Sequence, residues 1–151
     1  MIKYACEYEL TQGSMLASGY DLRAMCGVPR DIDPGWRWIF NTGLYLEVPY
    51  GVDAQIRPRS GLAAHHGVVA IGGTIDCDYR GECKVTLINH GQRPYTVLPG
   101  DRIAQLVFGL LAVAWSEAIF TTLGARPVRV ENPDDLSKTS RGVSGHGSSG
   151  R

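Results

Sequence analysis

The sequence predicts one mainly β domain of the jelly-roll, sandwich or barrel kind, with a single short helix. A length of 151 residues suits one domain built around one core. The 19 glycines and 8 prolines favour a chain rich in turns over a helix bundle. Apolar residues also recur at every second position in several short runs separated by turns, which is the period of half-buried strands.

The strands are predicted from this alternation, in chain order. Residues 36–40 place two tryptophans and a phenylalanine on one face of a strand. Residues 44–48 alternate leucine and valine with tyrosine and glutamate before a Pro-Tyr-Gly turn. Residues 83–87 repeat the pattern, and a buried strand is expected from Ile103, after the turn at Pro99-Gly100.

One segment, "RSGLAAHHGV", predicts the main helix. Ser60 is expected to cap it, residues 62–66 to form it, and Gly67 to end it in the left-handed conformation. Its adjacent histidines, His65 and His66, could suggest zinc. They are expected to be solvated helix positions, since no acid or thiol is placed to complete a tetrahedral set.

The amino-acid composition changes at about Lys138, after which glycine and serine dominate and few side chains could be buried. The sequence therefore predicts a β domain over residues 1–137 and a flexible arm over residues 138–151, mobile when no ligand is bound.

Charge and cysteine content restrict the setting. Fifteen basic and fifteen acidic residues cancel, so no overall field draws the chain to nucleic acid or to a membrane. No signal-like run opens the sequence, and the apolar stretch 103–115 is shorter than the roughly 20 residues of a spanning helix. The four cysteines form no CxxC pair, so we expect reduced thiols and a cytoplasmic location.

Two segments could bind an anion. At the predicted helix start, Arg59, Ser60 and Gly61 combine free N–H groups, a hydroxyl and a planar guanidinium, which suits phosphate. The alternative is an ordinary capped helix. The tail "RGVSGHGSSG" carries an arginine and one flat ring among small residues; it is either a disordered end or a segment that orders over a ligand.

The stretch "TIDCDYRGECK" holds the candidate reactive groups. Asp76 and Asp78 would point to opposite faces if the segment is a strand, so that only one faces a site. Tyr79 either lies against a flat ring or packs in the core, and Asp21 is either a turn residue or a carboxylate near a metal.

In this order, the segments "SGYDLRA", "PRSGLA", "GTIDCDYRGE", "GDRIAQLVF" and "RGVSGHGSSG" resemble the five motifs of the trimeric dUTPases, the dUTP pyrophosphatases. The resemblance implies a jelly-roll-like β fold of the β-clip kind. It also implies a homotrimer that hydrolyses dUTP to dUMP and pyrophosphate, which limits uracil in DNA and supplies dUMP for dTMP synthesis. Each active site would draw the first, second and fourth motifs from one subunit, the third from another and the arm from the last.

The resemblance also assigns roles to individual residues. Asp76 would orient the attacking water, and Tyr79 would pack under the deoxyribose and exclude a 2′-hydroxyl. Asp21 would approach Mg²⁺ through water. The remaining expected substrate contacts are Gly73, Thr74 and Ile75 at the uracil pocket, Lys84 beside it, Arg59, Ser60, Gly61 and Gln105 at the phosphates, and Arg141, His146, Gly147 and Ser148 in the arm.

The sequence departs from the family pattern at several places. His146 stands where many members have phenylalanine, and Ala70 replaces an asparagine that some bacterial members place beside the base. Val143 and Ser144 alter the glycine-rich arm, and residues 120–135 match no assigned segment.

Two other functions are compatible with the same fold. A dCTP deaminase-like enzyme would need a glutamate on the strand after the aspartate turn, where this chain has Thr86. A non-catalytic, nucleotide-sensing trimer would keep the pocket without hydrolysis, although Asp76, Arg59 and Arg141 are all present.

Overall fold

In the computed structural model, residues 1–111 and 127–143 are described, and within them short β-strands enclose one buried core beside one α-helix. The strands are β1 (Lys3–Ala5), β2 (Tyr20–Arg23), β3 (Arg30–Ile32), β4 (Arg37–Phe40), β5 (Tyr45–Glu47), β6 (Val52–Arg57), β7 (Val68–Ile71), β8 (Thr74–Ile75), β9 (Val85–Asn89), β10 (Tyr95–Val97), β11 (Arg102–Leu110) and β12 (Val128–Arg129). Helix α1 spans Ser60–His66, and a 3₁₀ turn spans Pro133–Asp135. The predicted mainly β fold is confirmed.

Sheet pairing brings distant parts of the chain together. One sheet has the order β2-β11-β6-β8 and another the order β4-β9-β7, with antiparallel neighbours throughout. A third sheet, β12-β1-β5, pairs β12 in parallel with β1, and β10 pairs with β3. The first two sheets carry the segments that matter for the site.

The two-residue alternation corresponds to burial in the folded chain. Leu44, Leu46 and Val48 are buried while Tyr45 and Glu47 between them are partly exposed. The apolar members of residues 83–87 are buried in the same way. Each fully buried aliphatic side chain of this kind stabilises the fold by about 1.5–3 kcal/mol, so the alternation determines which face of each strand meets the core.

Helix α1 begins differently from the prediction. Its N-cap residue is Arg59, in an extended conformation, and no side chain caps the first turn. Ser60 is the first helical residue, and the hydroxyl of a residue with helical backbone angles is not aimed at the first free N–H groups. The expectation that Ser60 caps the helix is therefore wrong. Gly67 ends the helix at φ 70°, as predicted.

The four cysteines are free thiols. No helix within residues 1–111 and 127–143 is long and apolar enough to cross a membrane. The cytoplasmic location stays a prediction.

Candidate functional site

The first group of predicted site residues forms where β2, β11 and β6 run side by side. Gln105 on β11 lies opposite Asp21 of β2 on one edge and opposite Arg57 of β6 on the other. Arg59 and helix α1 follow directly after β6. Three separated motifs thus meet at one end of this sheet.

Two arginines hold the carboxylate of Asp21, whose side chain is only 12% exposed. The Nε atom of Arg59 lies 3.5 Å from Oδ1, and Nη1 of Arg102 lies 3.3 Å from Oδ2. Arg59 also donates from Nη1 to the backbone carbonyl of Arg102 at 2.9 Å. We call Asp21, Arg59, Arg102 and Gln105 the arginine cluster.

Gln105 is held on the same surface. Its Nε2 donates to the carbonyl of Pro58 at 3.0 Å, just before Arg59. A Cβ atom at Gly19 would lie 2.7 Å from Oε1 of Gln105, so glycine at that position makes room for the amide. The fixed amide and the uncapped first turn of α1 both present hydrogen-bonding groups suited to phosphate oxygens.

The arginine cluster offers one carboxylate for a cation. No three His, Cys, Asp or Glu side chains are grouped to hold a metal in the described part of the chain. Mg²⁺ usually binds through one or two carboxylates together with waters and substrate phosphates rather than in an all-protein cage. Asp21 supplies one carboxylate, which is already paired with two arginines, and its contact with Mg²⁺ through water stays a prediction.

The second group lines a cavity of about 240 Å³ beside β8, which we call the small pocket. The lining residues are Ile56, Ile71, Gly72, Gly73, Thr74, Ile75, Asp76, Tyr79, Glu82, Cys83, Lys84, Thr86 and Arg141. Every residue predicted in the third motif is among them. Burial raises the pKa of the Cys83 thiol well above its ordinary value, so this cysteine lines the pocket as a neutral group.

The turn between β7 and β8 depends on glycine. Gly73 has φ 100°, and its carbonyl accepts a hydrogen bond of 2.8 Å from the backbone N–H of Ile56. A Cβ atom at this position would lie 2.7 Å from Cβ of Ile56. Any other residue would thus be strained and would push the turn away from β6.

Asp76 and Asp78 face one common partner instead of opposite sides. The strand β8 ends at Ile75, and the backbone then turns, with the N–H of Tyr79 donating to the carbonyl of Asp76. Arg141 forms a salt bridge with Asp76 and lies 3.5 Å from Oδ1 of Asp78. The expectation of opposite faces assumed a strand, and the turn removes that alternation. Of the two, only Asp76 lines the small pocket.

Tyr79 lies at the base of this turn. Its hydroxyl donates to the carbonyl of Glu82 at 3.0 Å, and the guanidinium of Arg141 lies 5.7 Å from its ring centroid. Burial raises the pKa of Tyr79, which therefore stays a hydrogen-bond donor. Lys84 is next to it in the pocket, with Nζ 3.9 Å from Glu82.

The arm is described only as far as Val143. Arg141 is in contact with the third motif of its own chain, whereas the sequence predicts that these two motifs come from different subunits. The backbone of residue 142 also accepts a hydrogen bond of 2.7 Å from the N–H of Arg80. The predicted contacts of His146, Gly147 and Ser148 lie outside the described residues.

The sequence reasoning missed two residues of the site. Arg102 shares Asp21 with Arg59, and Glu82 lines the small pocket. Both stand inside quoted motifs, "GDRIAQLVF" and "GTIDCDYRGE", so position in a motif was the available signal. Their side-chain hydrogen-bond partners lie 39 or more residues away along the chain and leave no local pattern.

The two groups remain separate within one chain. No member of the arginine cluster lines the small pocket. A larger cavity of about 870 Å³ is lined by none of the predicted site residues. Glu82 lines both this cavity and the small pocket. We assign the site to the smaller one, because it holds a carboxylate, an aromatic ring and two cationic side chains together.

Comparison with known proteins identifies this arrangement. The family model described as dUTPase matches residues 9–150. The chain is 47% identical over 137 residues to the deoxyuridine 5′-triphosphate nucleotidohydrolase of Anaeromyxobacter sp. (strain Fw109-5), covering 89% of this chain and 82% of that protein. The chain belongs to the dUTPase family.

A second relative of the same name, from Syntrophotalea carbinolica, is 42% identical and covers 89% of this chain and 83% of its own length. Among solved structures, the native dUTPase of EIAV superposes with a TM-score of 0.68 at 24% identity, covering 78% of this chain and 98% of that one. A mutant dUTPase of Staphylococcus bacteriophage 80alpha, solved with dUpNHpp, gives 0.67 at 19% identity and covers 100% of this chain and 99% of that one. A dUTPase mutant from phage phi11 of S. aureus, with a coordinated structural Mg(II) ion, gives 0.66 at 18% identity over 78% of this chain and 95% of its own.

These structures share the fold with this dUTPase. The predicted family, fold class and enzyme class are confirmed. The roles of individual residues rest on the geometry described above.

Proposed function

We propose that the chain hydrolyses dUTP to dUMP and pyrophosphate, and that Asp76 orients the water that attacks the α-phosphorus. One observation carries the assignment to Asp76: of the two carboxylates that line the small pocket, its side chain is the more exposed, at 51% against 16% for Glu82. Water can reach this group, and a positioned carboxylate can both align a water and accept its proton. Such groups contribute a factor of about 10²–10⁴ to rate.

Arg141 couples the arm to this carboxylate. Arg141 forms a salt bridge with Asp76 and also approaches Asp78. A triphosphate carries far more negative charge than either carboxylate and matches the guanidinium fork two oxygens at a time. Substrate therefore draws Arg141 toward the phosphates, which releases Asp76 to bind water and places the arm over the nucleotide.

The arginine cluster is the proposed binding surface for the phosphate chain. Arg59 supplies a guanidinium, Ser60 and Gly61 supply the uncapped start of α1, and Gln105 supplies its amide. Asp21 would hold Mg²⁺ through water, and the ion, when bound with the nucleotide, would neutralise charge on the phosphate oxygens. Pyrophosphate then leaves from a surface that already stabilises its charge.

The small pocket is the proposed site for uracil and deoxyribose. Gly73 and the β8 residues Thr74 and Ile75 have backbone groups proposed to pair with one pyrimidine edge, and Lys84 lines the same pocket. Cytosine reverses the donor and acceptor of that edge, so binding it would leave polar groups unpaired. The ring of Tyr79 is the surface against which the sugar would lie. In the arm, His146, Gly147 and Ser148 are the proposed contacts to base and phosphate.

We further propose that the working enzyme is a homotrimer with shared sites. Ligand pockets usually enclose about 300–1,000 Å³, and the small pocket, at about 240 Å³, is too small to enclose a nucleotide alone. The arginine cluster of the same chain does not line it. A neighbouring chain that brings its own cluster to the pocket would complete the site.

Deamination of dCTP is not favoured. Thr86, at the position where a deaminase would need a glutamate, lines the small pocket with a hydroxyl. The carboxylate of Glu82, also in the pocket, already accepts two backbone hydrogen bonds. Its Oε1 therefore serves to hold the backbone of the turn between β4 and β5.

The function is tested by measuring pyrophosphate release from dUTP, dCTP, dTTP and UTP with Mg²⁺, together with ammonia release from dCTP. We expect rapid pyrophosphate release from dUTP and little from the other three nucleotides. Ammonia release from dCTP would establish the deaminase instead. Binding of dUTP without any pyrophosphate release would establish a nucleotide sensor.

A further inference from the structure

We propose that Glu82 is a positioning residue that controls discrimination between deoxyribonucleotides and ribonucleotides, because it fixes the backbone that holds Tyr79. The inference rests on the proposed function, in which the ring of Tyr79 lies against the deoxyribose. Glu82 does not need to touch the substrate for this role.

The carboxylate of Glu82 holds the turn between β4 and β5. Its Oε1 accepts hydrogen bonds from the backbone N–H of Thr42 at 3.0 Å and of Gly43 at 2.8 Å. Its side chain is only 16% exposed. Hydrogen bonds to an ionised carboxylate are about twice as strong as those between neutral groups. This contact therefore links Glu82 firmly to Gly43 and Thr42, which lie 39 and 40 residues before it in the sequence.

Neighbouring groups fasten the same junction. The hydroxyl of Thr42, which is fully buried, donates to the carbonyl of Cys83 at 2.5 Å. The N–H of Cys83 donates to the carbonyl of Leu44 at 2.7 Å. Residues 82–83 are thus bound to residues 42–44 through one carboxylate, one hydroxyl and one backbone bond, and only the first of these comes from the third motif itself.

Tyr79 depends on this junction for its position. Its hydroxyl donates to the carbonyl of Glu82, and a Cβ atom at Gly81 would lie 2.4 Å from that hydroxyl. The ring therefore packs closely against the backbone of residues 81–82, which leaves no room for a side chain at Gly81. Any shift of this backbone moves the acceptor of the tyrosine hydroxyl, and the ring with it.

The carboxylate also reaches the pocket directly. Oε2 of Glu82 lies 3.9 Å from Nζ of Lys84, which lines the same cavity. The carboxylate of Glu82 thus contacts the turn and the lysine, while its backbone carbonyl holds the hydroxyl of Tyr79. Loss of the carboxylate removes the first two contacts and loosens the backbone on which the third depends.

The test compares kcat/KM for dUTP and for UTP in Glu82→Ala, Glu82→Asp and Glu82→Gln. In Glu82→Ala and the shorter Glu82→Asp, the turn loses its acceptor, Tyr79 relaxes and room opens for a 2′-hydroxyl. The preference for dUTP over UTP should fall about tenfold or more, the scale of discrimination by a close steric fit. Glu82→Gln keeps an oxygen that can accept both N–H bonds and should retain most of the preference.

Asp53→Ala is the matched control. Asp53 is also half-buried and accepts one hydrogen bond, from Nε2 of Gln55 at 2.7 Å, but it does not line the small pocket. A purely structural loss lowers the rates for both nucleotides in proportion and leaves their ratio unchanged, as expected for Asp53→Ala.

If Glu82→Asp, or a folded Glu82→Ala, keeps the wild-type ratio of kcat/KM for dUTP to kcat/KM for UTP, Glu82 does not have this role. If Glu82→Ala does not fold, Glu82→Asp alone decides the test. That result is distinct from failure of the proposed function, which would appear as a wild-type chain that does not hydrolyse dUTP.

Discussion

At the scale of single residues, two carboxylates two positions apart meet one guanidinium but have different surroundings. The hydrogen bond from Arg141 to Asp76 raises the pKa of Arg141, so the arginine stays charged at every physiological pH. Asp78 lies on the same guanidinium and is 48% exposed, close to the value for Asp76. Only Asp76 lines the small pocket, which makes Asp78 an internal control for charge and exposure.

Asp76→Asn should bind a non-hydrolysable dUTP analogue about as tightly as the wild type, because the amide keeps the size of the side chain. Turnover should fall by about 10²–10⁴, the usual contribution of a positioned acid–base group. Asp78→Asn, which removes the same charge beside Arg141, should keep turnover within a few-fold. Pyrophosphate release and calorimetric binding of the analogue measure both. Equal losses in the two variants would contradict the role of Asp76.

At the scale of elements, alternation predicted burial in some strands and not in others. In residues 36–40 only Phe40 is buried, while Trp36 and Trp38 are exposed. In two other segments burial follows the two-residue period of a sheet. Residues 44–48 and 83–87 show this directly. The helix cap was misassigned, because a serine before an apolar run suits both the cap and the first helical position. The contacts of Glu82 and Arg102 were not foreseeable, since hydrogen bonds across 40 to 81 residues depend on the pairing of whole strands.

The end of the chain divides into an anchored part and an arm. Leu136 is buried, and the N–H of Ser137 donates to Oε2 of Glu47 at 2.6 Å. Beyond them, the hydroxyl of Thr139 donates to the carbonyl of Asp78 at 2.5 Å, and Arg141 reaches Asp76. The boundary at residue 138 stays a prediction, because Ser137 before it also contacts the third motif: its carbonyl accepts a hydrogen bond of 2.8 Å from Nε of Arg80.

Deletion of residues 138–151 should leave the denaturation midpoint close to wild type, since the anchors at Leu136 and Ser137 remain. Turnover should fall by at least about 10²–10³, the usual cost of losing one charge-stabilising donor. Thermal unfolding and pyrophosphate release check the two parts. A truncated enzyme with full activity would contradict the proposed closure of the arm.

Glu47 gives this anchor a pH dependence. Burial opposes its ionisation, but hydrogen bonds from Ser137 and Lys3 outweigh burial and lower its pKa below the ordinary 4.5. A lowered carboxyl pKa contributes stability that is present above the ordinary value and is lost as pH falls through the lowered one. Between about pH 5 and 3, the wild type should lose more stability than Glu47→Gln, measured by urea unfolding. Parallel pH profiles for the two would show that this carboxylate is not coupled to folding.

At the scale of the whole molecule, the fold gathers the five motifs into two groups instead of one. Asp21, Arg59 and Gln105 meet through strand pairing, and Asp76, Tyr79 and Arg141 meet at the small pocket. Family resemblance predicted which residues belong to the site, and the structure adds which of them meet within one chain. The proposed trimer brings the two groups together.

The most direct test of this account is complementation between two inactive variants, Asp76→Asn and Arg59→Ala. Each alone should be folded, oligomeric and nearly inactive. When the two are co-expressed and the mixed trimers are purified, one of the three sites in each should combine an intact Asp76 from one chain with an intact Arg59 from its neighbour, because a ring of three that holds both chain types has one contact in the required order. Pyrophosphate release from dUTP should recover in that proportion. Mixed oligomers as inactive as their parents would show that the carboxylate and the arginine act within a single chain.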